Sequence, residues 1–311
     1  MIVALVCGGL GNQLFQYAAG RALAIRRRTE LAFNTNNYEN GREHRPGRLR
    51  QFARPLRLFE FRVAARTASR EDCLRVGHPF TEWRLSHRLV RLLWRTWPGL
   101  APRTFFLERR HTFDPAVLDL PDNTYLHGLW QSEKYFSDAR EAIRSELQPR
   151  DKGVVGYAEE YIGQLREKAS YVVGLHVRRG DLAYATEVLG TDGIVHGPPV
   201  GLEYIDAAMS RFDAGAAFLV FSDSQADVEW CRRNIRGANL FFAEGHSDVQ
   251  DFVLMSRCDH NIIANSTFSW WAAWLNPNPA KRVIGPRLWT TPGHASALDT
   301  RDLLPATWEL L

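Results

Sequence analysis

The sequence is poor in cysteine and has no run of apolar residues long enough to cross a bilayer. Its 311 residues include four cysteines, Cys7, Cys73, Cys231 and Cys258, none of which forms a C-x-x-C pair. All four lie in or near apolar stretches, which predicts buried thiols in a reducing compartment rather than a disulfide framework or a zinc site. A bilayer span needs about 20 consecutive apolar residues, so we expect no membrane-spanning helix.

A signal for secretion is also lacking. Residues 2–7 are apolar, but no basic segment precedes them and the glycines at positions 8 and 9 end the run early. We therefore expect a cytoplasmic protein of the bacterial type, and we expect no nucleic-acid partner.

Common nucleotide and metal motifs are missing as well. Gly9-x-Gly11 begins like a dinucleotide-binding fingerprint, but Leu14 stands where the third glycine belongs, and no P-loop Gly-Lys-Ser/Thr follows. No Asp-x-Asp occurs, and no group of His, Cys and carboxylate side chains has metal-ligand spacing. We expect neither a metal nor another cofactor. Without a metal, the charge of an anionic ligand must be neutralised by arginines and helix N-termini.

Charge is distributed unevenly along the chain. Residues 1–150 carry 25 Lys/Arg against 15 Asp/Glu, whereas residues 151–311 carry 14 against 20. A basic front half suits an anionic partner such as a phosphorylated lipid carrier, a membrane surface or an acidic glycan, and it is equally explained by solvated arginines. Residues 83–97 combine leucines and arginines in a basic amphipathic helical pattern, which either lies on a membrane surface or packs on the domain. Peripheral contact with an inner membrane therefore stays open.

The order of predicted elements is typical of a doubly wound α/β protein. A buried strand over residues 2–7, a glycine turn, a helix over 13–28 and a strand over 31–34 open the chain. Further strands are predicted over 124–129, 171–177, 216–221, 239–243, 260–264 and 282–285, and helices over 132–146, 203–211, 226–235, 248–258 and 267–275. Two domains of residues 1–150 and 151–311 follow, with ligands expected at the carboxyl ends of the strands.

The turn His176–Asp181 is the first candidate site, because it follows the predicted strand over residues 171–177. Arg178 and Arg179 offer permanently charged forks that fit phosphate oxygens bidentately. Asp181 is placed to orient either arginine, and the competing interpretation is an ordinary surface Arg–Asp pair.

Two more strand ends carry candidate anion-binding groups. The strand over residues 260–264 leads into Asn265, Ser266, Thr267, Phe268 and Ser269, where Asn265 or Ser266 is a good N-cap and the helix start is a ready phosphate site. Plain capping is the alternative interpretation. Asp223 follows the strand over 216–221, and it either accepts from a ribose hydroxyl or base N–H or caps the next helix.

The glycine turn near the N-terminus is a weaker signal. Gly9 and Gly11 indicate close approach of backbone to a ligand, with Asn12 and Gln13 as amides at its edge.

Several motifs occur together and in order along nearly the whole chain. They cover residues 7–20 (CGGLGNQLFQYAAG), 128–136 (GLWQSEKYF), 176–181 (HVRRGD), 221–224 (FSDS) and 251–276 (DFVLMSRCDHNIIANSTFSWWAAWLN). In these segments the chain resembles the α-1,2-fucosyltransferase family, inverting enzymes that use GDP-fucose. Residues 35–110 and 182–200 show no family signature.

The resemblance implies a GT-B-like α/β architecture, with two Rossmann-like domains and the active site in the cleft between them. It implies that the C-terminal domain binds GDP-fucose, that the N-terminal domain binds the acceptor, and that no metal is required. The first arginine of the shared motif, which corresponds to Arg178, is implied to contact the β-phosphate, and Asn12 is implied to reach the reacting sugar or the diphosphate.

The sequence therefore predicts a galactoside α-1,2-fucosyltransferase of carbohydrate metabolism. Arg178, Asp181 and Asn12 are the catalytic candidates, and the donor-binding candidates are Gly9, Gly11, His176, Arg178, Arg179, Asp223, Asn265, Ser266, Thr267, Phe268 and Ser269. The acceptor is a glycan with a terminal β-galactoside, either free or lipid-linked as in an O-antigen repeat. Asp181, Glu187, Asp192 and His196 remain alternatives for the general base. A fucosyltransferase of another linkage, another GDP-sugar and a non-catalytic binding protein stay open.

Overall fold

A computed structural model describes residues 1–39, 42–43, 53–77, 96, 104–180, 199–290 and 299–311. The chain divides into two compact units, the first formed by residues 1–148 with 301–303 and the second by residues 149–300 with 304–311. Within the described ranges, no helix combines the length and the apolar character that crossing a bilayer requires.

The first unit is built on a parallel sheet in the order β5-β2-β1-β7-β6. Its strands are β1 (Ile2–Leu5), β2 (Leu31–Asn34), β5 (Arg66–Thr67), β6 (Phe105–Leu107) and β7 (Thr124–His127), and a separate hairpin pairs β3 (Tyr38–Glu39) with β4 (Arg42–Glu43). Both β1 and β2 are buried along their whole length, as their continuous apolar sequences predict. The strand order runs in opposite directions from β1, so the switch point of this sheet lies between β1 and β7.

Helix α1 (Leu10–Arg27) follows β1 and packs against the sheet. It ends at Arg28, which adopts a left-handed conformation and closes the helix with two backbone bonds. Two shorter helices whose bounds lie within the described residues follow in this unit, α2 (Arg70–Arg75) and α3 (Arg140–Glu146). The Ser69 hydroxyl and the Asp72 carboxylate form a capping box at the start of α2.

The second unit is built on a parallel sheet in the order β10-β9-β8-β11-β12-β13. Its strands are β8 (Tyr171–Val177), β9 (Ala216–Ser222), β10 (Leu240–Phe242), β11 (His260–Ile262), β12 (Val283–Gly285) and β13 (Glu309–Leu310). The central strand β8 pairs with β9 on one side and β11 on the other. The strand order reverses at this position, which places the switch point between β8 and β11.

In the described part of this unit, α4 (Lys152–Arg166) precedes β8, and helices connect the strands from β8 to β12 as in other doubly wound folds. These connecting helices are α5 (Leu202–Met209), α6 (Gln225–Asn234), α7 (Asp248–Arg257) and α8 (Thr267–Leu275). Helix α8 is buried from Ser269 to Leu275, and Trp270, Trp271 and Trp274 pack against one another there. This packing accounts for three of the ten tryptophans of the chain without any ligand.

The predicted boundaries of several elements are wrong. The helix expected over residues 132–146 is broken into 3-10 turns at Glu133–Tyr135 and Ser137–Ala139 before α3 begins. Helix α1 begins at Leu10 rather than at residue 13, and α4 lies in a segment for which no helix was predicted.

No disulfide joins the four cysteines, all of which lie in the described part of the chain, as the sequence predicts. Burial raises the pKa of the Cys73 and Cys231 thiols to about 11. Cys7 corrects the expectation of complete burial, because it is only half-buried and lies at the carboxyl end of β1.

Candidate functional site

The second unit brings three predicted segments to one edge of its sheet. Arg178 and Arg179 follow β8, Asp223 follows β9, and Asn265 follows β11. These three strands are neighbours, and β8 and β11 flank the switch point. Open α/β sheets bind ligands at this position because the loops there diverge and leave a crevice.

The side chain of Arg179 is held in place by residues of its own unit. Its guanidinium carbon lies 3.8 Å from the centre of the Trp230 ring, and its Nε lies 3.6 Å from Oδ1 of Asp227. A planar guanidinium on an indole face next to a carboxylate is a favourable packing arrangement. These contacts fit Arg179 to hold the turn after β8.

Asp223 also acts on that turn. Its Oδ2 accepts from the backbone N–H of Arg179 at 3.1 Å, and the Ser222 hydroxyl donates to the Val177 carbonyl at 2.6 Å. Gly180 has a φ of +20°, and a Cβ at that position would lie 3.0 Å from Asp223 Oδ2. The N-cap of α6 is Ser224, so the interpretation of Asp223 as the cap is wrong.

The start of helix α8 lies on the other side of β8. Ser266 is its N-cap residue, but its hydroxyl makes no capping bond to the first turn. The Ser269 hydroxyl is fully buried and donates to the Ser266 carbonyl at 3.2 Å, so it stabilises the helix start. Thr267 is half-buried. A helix start with this arrangement favours an anionic group in front of it.

His176 and Phe268 pack beneath these loops. His176 is buried, and its ring centre lies 5.6 Å from that of Phe268, which in turn lies 5.4 Å from that of Phe252. The aromatic contacts connect β8, α8 and α7, which supports the relative placement of the two loops that flank the switch point.

The first unit carries the remaining candidates at the carboxyl end of β1. Gly8 has a φ of +79°, and a Cβ there would lie 2.6 Å from Nδ2 of Asn12, so both conformation and space require glycine. Gly9 is the N-cap of α1, and the backbone N–H of Asn12 donates to its carbonyl at 3.0 Å. Gly11 and Asn12 therefore lie in the first helical turn, which corrects their predicted position in the loop.

Buried glutamines fix this glycine turn. Gln13 donates to the carbonyls of Gly8 and Pro55 and accepts from the backbone N–H groups of Arg57 and Leu58. The Tyr38 hydroxyl also donates to the Gly8 carbonyl, at 2.6 Å. Gln13 thus has a structural role inside the unit rather than a position at a ligand edge.

A second loop meets the glycine turn across the switch point. Gln16 accepts from the backbone N–H of Cys7 at 3.0 Å and donates to the Gly128 carbonyl at 3.1 Å. Gln131, two residues beyond Leu129 in the same loop, donates to Asn12 Oδ1 at 2.9 Å. The loops after β1 and β7 are therefore joined through side-chain amides.

Glu108 supports the loop after β7 from below. Its two carboxylate oxygens accept from the backbone N–H groups of Leu129, at 2.6 Å, and Trp130, at 3.1 Å. Desolvation by burial is the main cause that raises the pKa of Glu108 to about 7, although both backbone bonds lower it. Trp130 has a φ of +57°, a conformation that a bulky residue adopts only when its surroundings impose it.

Several predicted residues lie outside the described part of the chain. They are Asp181, Glu187, Asp192 and His196, and most of the amphipathic segment over residues 83–97 does as well. Among the residues that are described, no group of three or more His, Cys, Asp and Glu side chains is arranged to hold a metal ion.

Sequence reasoning missed four residues that shape the site: Glu108, Gln131, Asp227 and Trp230. Asp227 and Trp230 had a readable signal, because Ser224 and Asp227 have the spacing of a helix start and Trp230 follows three residues later on the same helix face. Glu108 had no such signal, and Gln131 was indicated only as part of the motif over residues 128–136, because their partners lie about 20 and 119 positions away in the sequence.

The fold is that of a GT-B-like α/β protein with two Rossmann-like units. The solved structure of the fucosyltransferase NodZ from Bradyrhizobium matches it with a TM-score of 0.50 and 16% identity, over 94% of this chain and 96% of that one. At this identity the likeness defines the fold class alone.

The chain belongs to glycosyl transferase family 11, whose model matches residues 91–300. It is similar to an alpha-1,2-colitosyltransferase of Escherichia coli, with 30% identity over 99% of this chain and 98% of the relative. It is also similar to galactoside alpha-(1,2)-fucosyltransferase 1 of Sus scrofa, with 33% identity over 48% of this chain and 42% of that relative. The family makes the protein a glycosyltransferase and confirms the resemblance drawn from the motifs.

Proposed function

We propose that this glycosyltransferase transfers L-fucose from GDP-fucose to the 2-hydroxyl of a terminal β-galactoside, with inversion and without a metal. The observation that carries the proposal is the grouping of Arg178, Asp223 and the start of α8 on three neighbouring strand ends of the second unit. A diphosphate needs positive charge and N–H donors in one place, and this edge supplies both.

In this proposal the second unit binds the donor. Arg178 contacts the β-phosphate and stabilises the charge that grows on GDP as the bond to fucose breaks. Ser266, Thr267 and the N-terminus of α8 contribute donors to the same diphosphate. Arg179 acts through the turn, because Trp230 and Asp227 hold its side chain.

The first unit is proposed to bind the galactoside acceptor and to bring Asn12 to the reacting sugar. Its switch point carries neutral amides and glycines, which suit sugar hydroxyls better than a diphosphate. The general base remains among Asp181, Glu187, Asp192 and His196. The acceptor glycan is either free or lipid-linked. A lipid-linked acceptor would agree with peripheral membrane contact through residues 83–97.

Transfer of colitose is a second candidate, favoured by the 30% identity with an alpha-1,2-colitosyltransferase along nearly the whole chain. Colitose is 3-deoxy-L-fucose, so the two donors differ in one hydroxyl. A site that hydrogen-bonds this hydroxyl would reject the deoxy sugar by about 10⁴-fold or more, whereas a site that only accommodates it would discriminate weakly.

The test supplies GDP-fucose and GDP-colitose separately with a β-galactoside and with its 2-deoxy analogue as matched control. We expect GDP release that depends on the acceptor, no product with the 2-deoxy analogue, and an α-1,2 linkage by NMR. A preference for GDP-colitose would favour the second candidate. Another linkage would overturn the acceptor assignment, and binding of GDP-fucose without release of GDP would identify a binding protein.

A further inference from the structure

The loop after β6 presents two arginines that have no partner in the described part of the chain. Arg109 and Arg110, called the arginine pair below, are both exposed. Among the described residues, neither guanidinium makes a hydrogen bond, an ion pair or a ring contact. Two adjacent positive charges repel each other, so an anion placed against both of them would be stabilised.

The acidic side chains in and against this loop bond to other groups. Both carboxylate oxygens of Glu108 accept from backbone N–H groups of the loop after β7. Asp114 Oδ1 accepts from a backbone N–H of its own 3-10 turn at 3.0 Å. Asp302 accepts from the backbone N–H of Phe113 at 3.0 Å and pairs with Lys134. These carboxylates therefore do not neutralise the arginine pair.

The remaining segments of the first unit are a poor source of negative charge. Residues 40–41, 44–52, 78–95 and 97–103, which the structure does not describe, contain eight arginines and a single acidic residue, Glu82. These segments add net positive charge to the unit. The excess of positive charge around the arginine pair is therefore set by the sequence itself.

Contacts on both sides fix the loop that carries the arginine pair. Before the pair, the backbone N–H of Glu108 donates to the His127 carbonyl at 2.9 Å. After the pair, the backbone N–H of Asp114 donates to the Tyr135 hydroxyl at 3.0 Å, and the ring centres of Phe113 and Tyr135 lie 5.0 Å apart. A short loop held at both ends loses little further freedom when it binds a ligand, which favours binding.

The arginine pair lies at the edge of the sheet where the first unit carries its candidate residues. Strands β6 and β7 pair in parallel, so the loops that follow them leave the sheet at the same edge, about 4.8 Å apart. The loop after β7 carries Gln131, which donates to Asn12 beside the switch point. Neutral amides at the switch point thus have positive charge next to them, on the loop of the edge strand β6.

We propose that Arg109 and Arg110 bind a phosphate or diphosphate group that is attached to the acceptor glycan. The inference rests on the proposed function, because it assumes that the first unit binds the galactoside acceptor. It deepens that function by naming the acceptor as a phosphorylated glycan, with the galactoside at the amides and the phosphate at the arginine pair. A phosphate ester carries up to two negative charges and three acceptor oxygens, which suit two guanidinium forks. A neutral glycan needs neither.

The test compares acceptors that share one glycan and differ in charge. They are a disaccharide with a terminal β-galactose, the 1-phosphate of this disaccharide, and its diphosphate ester with a short alkyl chain. The donor is whichever of GDP-fucose and GDP-colitose is turned over, and kcat/KM for each acceptor is measured from GDP release. We expect wild type to prefer both phosphorylated acceptors by about 10-fold to 30-fold, mainly through KM, as exposed charge-assisted hydrogen bonds would give. This preference should fall as salt rises from about 0.05 M to about 0.5 M.

Variants of the arginine pair show whether these residues cause the preference. The double variant Arg109→Gln/Arg110→Gln removes both charges and should lose most of the preference. Arg109→Lys/Arg110→Lys keeps the charges without the planar forks and should retain part of it. Arg62→Gln is the matched control, because Arg62 is exposed in the same unit but precedes β5, so it should keep the full preference. All of these side chains are exposed, so we expect melting temperatures equal to that of wild type. A wild-type preference in the double glutamine variant would overturn the inference.

The outcomes separate this inference from the proposed function. If wild type turns over none of the acceptors, the proposed function fails. If it turns over the neutral and the phosphorylated acceptors with equal kcat/KM, only the inference fails. A preference for the alkyl diphosphate alone that persists in the double glutamine variant would mean that the alkyl chain is recognised elsewhere, against the inference. If that variant instead loses cosedimentation with phosphatidylglycerol vesicles but keeps its preference among acceptors, the arginine pair faces an anionic membrane and not the acceptor.

Discussion

In the first unit the loops that flank the switch point carry amides and glycines, whereas in the second unit the loop after β8 carries two arginines and is held by an aspartate and an aromatic ring from neighbouring segments. Asn12, Gln16 and Gln131 join the loops of the first unit. Arg179, Asp223 and Trp230 fix the loop after β8 in the second. The same parallel topology thus presents neutral donors and acceptors in one case and fixed positive charge in the other.

In both units the strand order determines where the candidate residues lie, whereas their side chains determine which kind of ligand that position suits. Both sheets reverse their strand order at a central strand, and both place their candidate residues beside that reversal. Charge that is fixed by packing suits a diphosphate, because it needs no rearrangement when the leaving group forms. Uncharged amides suit the sugar hydroxyls of an acceptor.

The largest effect is expected from Arg178, in the second unit. Arg178→Ala should lower kcat by about 100-fold to 1000-fold, because a preorganised contact to the leaving group is removed. Arg178→Lys keeps the charge without the bidentate fork and should lose less. Arg233→Ala is the matched control, since Arg233 is an exposed arginine of the same unit. Retention of most activity in Arg178→Ala would break the assignment of the diphosphate to this unit.

A smaller effect should follow from the contacts of Arg179. Trp230→Leu removes the ring beneath the guanidinium, a contact worth about 0.5–2 kcal/mol, so the turn after β8 should be less well fixed. We expect a loss of roughly tenfold in kcat/KM for the donor by that estimate. Trp230→Phe keeps an aromatic face and should recover most of it. Equal losses in the two variants would contradict a role for ring stacking.

The first unit should show its own pH dependence through Glu108, whose pKa is raised by desolvation to about 7. A raised carboxyl pKa means that the folded state holds its proton more tightly than the unfolded state. The contribution of Glu108 to the free energy of unfolding is therefore largest below about pH 4.5. It declines as pH rises to about 7, by an amount on the order of a few kcal/mol.

Glu108→Gln tests this prediction because it removes the titrating group and keeps its size. Denaturant unfolding at about pH 4.5 and about pH 7.5 should show that wild type loses more stability across this interval than the variant does. Subtracting one protein's free energies of unfolding from the other's cancels the contributions of the other titrating groups. An identical pH dependence in both would contradict the prediction, because it would mean that folding does not shift the pKa of Glu108.

The smallest expected effect is that of metal removal. If arginines and the start of α8 neutralise the leaving group, then chelation with EDTA should leave kcat and KM unchanged, and added Mg²⁺ or Mn²⁺ should not raise them. The measurement is initial-rate GDP release from GDP-fucose before and after dialysis against chelator. A loss that is restored by one divalent ion would mean that the second unit does not supply enough charge by itself.

The sequence by itself determined the α/β class, the strands β2 and β8, the helix α8 and the family. Continuous apolar runs that end at glycines or arginines can be recognised locally, because burial on both faces of a parallel sheet leaves no alternation to interpret. The Arg-rich motif could be placed at a strand end for the same reason. Short edge strands such as β6 and β13 could not be recognised, since three or two residues carry no periodic signal.

Tertiary structure decided what each recognised residue does. The family motif singled out Arg178 for the phosphate, but only the packing of Arg179 on Trp230 shows how the second arginine is held. The sequence offered Asn12 as an amide in a turn, and only the bond from Gln131, 119 positions away, shows that Asn12 joins two loops. Hydrogen bonds and ring contacts between distant segments leave no local periodicity in the sequence. They can therefore be recognised only in the folded structure.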